Sequence, residues 1–408
     1  MRSRSRYPTC SNRSGFVCFW RRSGRPTCIS RTRLSHGPQC GFIITSCGTP
    51  LENGTAVGTS RATTDHTAES LRSTCNLQDP TPSTQSFRIL SLDGGGIMGT
   101  YTAAMLAELE RMTGKRLWEY FDLITGTSTG GIIAVALGLG IPAERILRLY
   151  LEQGARIFPF PRLWLLGHAW WTLKHVFRPK HSQQVLKQVI EDVVKDQRFG
   201  DSKVRLVIPA FDADRGGPQL FKTAHRPEFK QDYLLPAVTV ALGTAAAPTY
   251  YPAYTAAGGG CYIDGGVWAN CPAMIGLLEA TCVLKQPIER VELLSIGTTT
   301  EPFHVSTRRR RGGILRWGKG AVRLFMQGQV EGAIGQARLM TNHRMLRVNN
   351  VTVPGRFTID DATVVAELKS LGEQAARIYE REISQRFLFA PAPRFTPDLV
   401  PPARSAQT

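Results

Sequence analysis

Phe121-Asp122-Leu123-Ile124-Thr125-Gly126-Thr127-Ser128-Thr129-Gly130-Gly131-Ile132-Ile133-Ala134-Val135-Ala136-Leu137 runs from a short apolar strand, through a turn of small residues, into an apolar helix. A buried strand feeding directly into a buried helix is the building unit of an α/β fold. Ser128 sits in the turn, with Gly126 and Gly130 on either side. Small flanking residues let such a turn be tight and push the hydroxyl outward, where a substrate can reach it. A serine is a weak nucleophile unless a neighbouring base takes its proton. The competing role is a plain cap on the following helix, worth about 1 kcal/mol.

Two further stretches bear on that choice. Upstream, Asp93-Gly94-Gly95-Gly96-Ile97-Met98-Gly99 follows the apolar run Phe87 to Leu92 and precedes a predicted helix from Tyr101 to Arg111. Glycine N–H groups opening a helix form an anion site, for a phosphate or for a developing oxyanion. Gly94, Gly96 and Gly99 match the dinucleotide-binding glycine spacing, a weak signal alone, but no acidic residue closes a second strand about 20 positions later. Glu108 and Glu110 lie inside the predicted helix. Downstream, Tyr262-Ile263-Asp264-Gly265-Gly266 offers Asp264 as the base for Ser128, against the plainer role of an Asp-Gly turn. Asp93 is assigned no catalytic role. His304 and His343 satisfy the chain order of a Ser-Asp-His triad, yet neither has a matching local motif, and both are read as structural.

Along residues 87 to 296 predicted strands and helices alternate, which implies a mainly parallel sheet between helices, with reactive groups at the carboxyl ends of the strands. Val364 to Arg386 reads as an amphipathic terminal helix, and the Pro-rich residues after 390 as a loose tail. Two segments interrupt the pattern. Arg156 to Lys180 carries Trp164, Trp170 and Trp171 among basic residues and fits an interfacial lid or, more plainly, a packed helical insertion. Arg308 to Arg311, followed by Arg316, Lys319 and Arg323, fits an anion site or a solvated loop.

Composition bounds the partners. The chain has 408 residues and a formal net charge of +18. Residues 1–85 hold eleven arginines, no lysine and four acidic residues, so they contribute seven of those charges and leave eleven to the remainder. That basic remainder favours anionic partners such as phospholipid headgroups, a membrane surface or a nucleotide. No apolar run reaches the roughly 18 residues of a membrane span. Residues 1–85 are rich in Ser, Thr, Arg, Gly and Pro, with no helical or strand period, and are expected to lack a fold of their own. A transit peptide, a regulatory tail and an extension from a mis-set start codon all fit, the last being preferred. Six of the nine cysteines fall there without a secretory apolar region, so a reducing cytosol is expected.

With its three ordered motifs, and with Thr244-Ala245-Ala246-Ala247-Pro248-Thr249-Tyr250-Tyr251-Pro252 and Asp264-Gly265-Gly266-Val267-Trp268-Ala269-Asn270-Cys271-Pro272, the chain resembles the patatin-like phospholipases from roughly Phe87 to Leu388. The resemblance implies a patatin-like three-layer α/β/α domain over 86–390, flanked by the extension 1–85 and the tail 391–408. It implies a Ser128–Asp264 dyad without histidine, and an oxyanion hole from Gly94, Gly95 and Gly96. Gly99, Gly126, Gly130, Gly265 and Gly266 serve as motif glycines, and no metal or cofactor is involved. Met98 stands where the family usually has arginine, which affects local order and headgroup preference rather than the backbone donors.

The substrates implied are acyl esters of membrane phospholipids, reached from the cytoplasm as a peripheral protein at the inner face of the membrane. A weaker likeness of the middle section to bacterial effectors of cyclic-oligonucleotide antiphage signalling adds a cyclic dinucleotide activator. Nucleic acid polymers are not expected, and a homo-oligomer is left open. The alternatives are a constitutive lipase or carboxylesterase of general lipid metabolism and, further off, a nucleotide-binding module built on the Gly-rich loop.

Overall fold

A computed structural model of the chain describes residues 17–20, 26–29, 86–159, 179–302, 304–313 and 317–402, and the chain divides into two units, Met1–Pro80 and Thr81–Thr408. In the first unit, β1 (Val17–Trp20) pairs antiparallel with β2 (Pro26–Ile29). The tryptophan-rich part of the expected lid, 160–178, and Arg316 lie outside the described residues.

The second unit is built on one eight-stranded sheet. Its strands are β3 (Phe87–Leu92), β4 (Leu123–Gly126), β5 (Arg205–Asp212), β6 (Gly217–Lys222), β7 (Tyr254–Thr255), β8 (Cys261–Asp264), β9 (Val291–Ile296) and β10 (Met345–Val348). The order is β10-β9-β3-β4-β5-β8-β7, with β6 also on β5; the β10 to β5 stretch is parallel and the pairs around β6, β7 and β8 are antiparallel. The expected mainly parallel sheet is therefore present, closed by an antiparallel side.

Pleating divides the strands between two cores. Leu90, Leu92, Ile124, Leu294 and Ile296 face one apolar cluster, while Phe87, Ile89, Leu123, Val291 and Leu293 face another. Alternating residues of buried strands point to opposite faces, so both faces must be covered by helices. One face carries α1 (Gly99–Thr113), α2 (Thr129–Gly138), α3 (Ala143–Ile157), α4 (Gln183–Val194), α5 (Ala237–Ala245) and the terminal helix α9 (Val365–Arg386). The other carries α6 (Gly266–Ala269), α7 (Ala273–Leu278) and α8 (Lys319–Met340). This is the three-layer arrangement expected.

The tail differs from expectation as far as Pro402. Arg88, fully buried in β3, donates from Nη1 to the carbonyls of Phe387 and Ala390 at 2.7 and 2.6 Å. Ala392 N–H then bonds Glu119 O, Asp398 N–H bonds Ala224 O, and Phe395 is buried with the Arg205 guanidinium 5.1 Å from its ring. Buried Arg88 finds its acceptors just ahead of the tail, and the two backbone bonds with the buried Phe395 ring hold residues 391–402 across the end of the sheet where the parallel strands begin.

Candidate active site

Two strands meet end to end beside β5. Val207 pairs with Thr125 of β4 on one edge and Lys222 of β6 on the other, while Ala210 pairs with Asp264 of β8 and Gln219 of β6. A strand has only two edges, so β4 and β8 share the edge opposite β6 and run toward each other. The chain leaving β4 reaches Ser128, and the chain leaving β8 departs from Asp264. The sheet's switch from parallel to antiparallel thus brings together two residues 136 positions apart.

At Ser128 the backbone takes φ 55° and ψ −124°, an uncommon conformation for a residue with a Cβ. Ser128 precedes α2, yet its side chain makes no capping bond, so the plain helix-cap role does not hold. Its N–H is fixed by Thr244 Oγ1 at 3.0 Å, and Thr244 in turn donates to Pro209 O at 2.6 Å. Thr127 Oγ1 donates to Ala269 O at 2.7 Å. A Cβ at Gly126 would collide with the Gly130 carbonyl, and one at Gly130 with the Leu92 carbonyl, which explains the glycines of the turn.

Asp264 is buried at 4 % exposure. Burial pushes its carboxyl up to about 6, while the Ser128 side chain and the Gly266 N–H, both directed at the carboxylate, oppose the shift. The Gly266 bond to Oδ1 is 2.7 Å. A carboxylate of this affinity is ionised at neutral pH yet more basic than an ordinary aspartate, which suits it to proton transfer. Histidine is absent from the described hydrogen bonds of Asp264. His225 is enclosed between Thr223 and Glu279, and beside it the Thr223 side chain accepts from the N–H of Leu206, near the start of β5.

The Gly-rich loop lies against the serine, but its three expected donors are not equivalent. Gly94 N–H bonds Asn270 O at 3.0 Å, and Gly94 O accepts from Asn270 Nδ2 and Thr298 Oγ1. A Cβ on Gly94 would stand 3.1 Å from the Ser128 Cβ, so the loop runs directly alongside the nucleophile position. Among the described residues, the N–H groups of Gly95 and Gly96 meet no acceptor. Gly94 is thus a fastening point rather than a free donor, and the open pair is Gly95 and Gly96. Gly96 has φ +57° and lies against the Ile359 carbonyl, which accepts from Ile97 N–H at 2.9 Å. Met98 sulfur accepts from Thr299 Oγ1 at 3.3 Å, a neutral contact at the position of the family arginine.

Beneath the loop sits a buried ion pair that the sequence did not single out. Arg347 of β10 reaches Asp93 Oδ2 at 2.6 Å and Ser295 Oγ at 2.8 Å, and both charged side chains are under one-tenth exposed. The only signal for it was an aspartate at the head of the glycine run; Arg347 lies 254 residues away. Asn270, six residues after Asp264, fastens Gly94 through both its side chain and its backbone carbonyl. The expected arginine cluster forms a short turn, Thr307–Arg310, capped by Ser306, with Arg323 paired to Glu301.

Ser128 in a strained strand-to-helix turn, a buried aspartate directed at it and open backbone N–H groups alongside have the geometry that serine hydrolysis requires. The family model of the patatin-like phospholipases matches residues 90–277. A protein of Pseudomonas aeruginosa (strain BWHPSA011 / Pa011) named cGAMP-activated phospholipase is 34% identical over 307 residues, 72% of this chain and 88% of that one. A Vibrio cholerae protein of the same name is 36% identical over 253 residues, 57% of this chain and 71% of the other. Patatin-like protein 1 of Oryza sativa subsp. indica is 30% identical over 355 residues, 74% and 82% of the two chains. The chain belongs to the patatin-like phospholipases.

Proposed function

We propose that this protein cleaves fatty acyl esters of membrane phospholipids through Ser128 and Asp264, and that a cyclic dinucleotide of the cGAMP type switches it on. The observation carrying the chemistry is the strained Ser128 facing a buried aspartate whose carboxyl is raised to about 6. Asp264 accepts the Ser128 proton as Oγ attacks the ester carbonyl carbon. The N–H groups of Gly95 and Gly96 hold the resulting oxyanion. The intermediate collapses, the lysolipid alkoxide leaves with the proton from Asp264, and an acyl-serine remains. Water then loses a proton to Asp264 and attacks that ester; the fatty acid departs and Ser128 regains its proton. Loss of one oxyanion donor typically costs about 3 to 4 kcal/mol of transition-state stabilisation.

The activator is supported by the names of the relatives from Pseudomonas and Vibrio, both cGAMP-activated phospholipases. The net positive charge is compatible with a nucleotide phosphate. Antiphage defence is the setting that the likeness to cyclic-oligonucleotide effectors supports, with action at the inner membrane face. No helix among the described residues is long and apolar enough to cross a bilayer, which accords with attack from one side. The test is fatty acid release from phospholipid vesicles by the full chain and its Ser128→Ala variant, with and without cGAMP. Release that needs both Ser128 and cGAMP is expected. Equal release without cGAMP would leave a constitutive lipid hydrolase, and no release under either condition would overturn the lipid substrate.

A further inference from the structure

The parallel strands β3, β4, β9 and β10 all end at the edge of the sheet that holds Ser128, so the loops leaving β9 and β10 surround the same mouth. Helix α8 starts there, since it links the loop after β9 to the beginning of β10. Gln329, in its middle, donates to Val267 O in α6, two residues beyond Gly265. Val322 and Phe325 lie about two turns and one turn further out from Gln329 along the helix. They occupy one face and are 59% and 68% exposed. The loop after β10 presents Val351 and Val353, 67% and 65% exposed, followed by exposed Pro354.

These two apolar prongs are fastened to each other. Glu301 accepts from Arg323 of α8 and from the N–H groups of Gly355 and Phe357 in the loop, and Thr300 bonds Asn350 and Thr352 through the backbone. Glu301 is thereby occupied, whereas Arg310 and Arg311 beside the start of α8 are exposed. Other exposed apolar side chains, such as Met112 and Leu339, lie in the last turns of α1 and α8, at the opposite end. A clustered apolar patch rimmed by basic residues marks an interaction surface, and this chemistry matches an anionic lipid bilayer, with apolar side chains at the acyl boundary and guanidinium groups on phosphates.

We infer that Val322 and Phe325 of α8, together with Val351 and Val353 of the β10 loop, form the face on which the protein docks to anionic membrane, with Arg310 and Arg311 contacting headgroup phosphates. The inference rests on the phospholipase reading in that docking there would set the mouth of the site against its substrate. The apolar prongs supply insertion and the arginines supply preference for anionic lipid, so the two contributions separate in experiment.

Binding is measured by co-sedimentation of the full chain carrying Ser128→Ala, which needs no turnover, on vesicles of phosphatidylcholine alone and of phosphatidylcholine with phosphatidylglycerol. Val322→Ser with Phe325→Ser on the helix, and separately Val353→Ser on the loop, are expected to weaken binding to both kinds of vesicle. Arg310→Glu with Arg311→Glu is expected to lower affinity about tenfold or more on the anionic vesicles only, an effect that high salt reproduces. Hydrolysis of a short monomeric ester by the same variants with Ser128 restored and cGAMP present is expected to stay unchanged, which shows an intact fold. Unchanged vesicle binding in both prong variants would overturn the assignment. So would light scattering that shows the prong substitutions splitting an oligomer while vesicle binding persists, because a second copy would then be the occupant. If the Ser128 enzyme with cGAMP releases fatty acid from no vesicle while the Ser128→Ala chain still binds through these residues, the lipid-hydrolase reading fails and the docking face stands.

Discussion

In the proposed mechanism Asp264 makes the chemistry pH-dependent, and burial fixes the sign. Only the ionised carboxylate accepts a proton, so kcat/KM is expected to rise as pH increases through about 6 and to level off above it, as a pH–rate profile will show. Stability runs the other way. A carboxyl whose folded value is raised from 3.8 to about 6 leaves the folded state unpenalised below 3.8, and the cost of burying the charge develops between those values and persists above them. Asp264→Asn is therefore expected to abolish acyl transfer yet raise thermal stability at pH 8, by up to about 3 kcal/mol, in a denaturation experiment. The tight turn at Ser128 and the strand end at Asp264 were legible in the sequence because each is announced locally, by glycines and a change of apolar period. The engagement of Gly94 was not, because its acceptor, Asn270 O, arrives from 176 residues away and no local pattern encodes it.

At the scale of elements, the Gly-rich loop is held from three sides: Asn270 and Thr298 at Gly94, Ile359 at Ile97, and Arg347 at Asp93. Breaking a buried ion pair from one side leaves an uncompensated charge and costs roughly 3–5 kcal/mol. Arg347→Met is expected to lower stability by that amount and to reduce kcat more than it changes KM, since the proposed oxyanion donors, Gly95 and Gly96, lose their position while the proposed docking face is untouched. Adding Asp93→Asn should recover much of the stability, which thermal melts of the double variant will test. Gly96→Ala combines a φ of +57° with a collision against the Ile359 carbonyl, so its expected result is a folded chain with a loss of activity of tenfold or more, about 1.4 kcal/mol. The strand-helix alternation that gives the three layers was readable from apolar periodicity. The end-to-end approach of β4 and β8 was not, since pairing to a common edge of β5 is a property of topology.

For the whole molecule, the ends of the catalytic unit have separate tasks. The carboxyl ends of the parallel strands carry the site, while their starting ends are covered by residues 387–402, fastened through Arg88 and Arg205. The Pro-rich composition made that tail look loose, because what holds it is backbone bonds to Glu119 and Ala224, far away in sequence, and the burial of one ring, Phe395. Truncation after Ala390 removes buried Phe395 and should lower stability by about 1.5–3 kcal/mol in chemical denaturation, with the Ser128 chemistry intact in the folded fraction.

Activation of Ser128 is the claim on which the whole account stands, and covalent labelling reads it most directly. The full chain, incubated with cGAMP and a fluorophosphonate probe across pH and then mapped by mass spectrometry, should carry one adduct, on Ser128. Labelling should accelerate through pH about 6 and be suppressed in Asp264→Asn. An adduct elsewhere, or equal labelling of Ser128 in Asp264→Asn, would contradict the account.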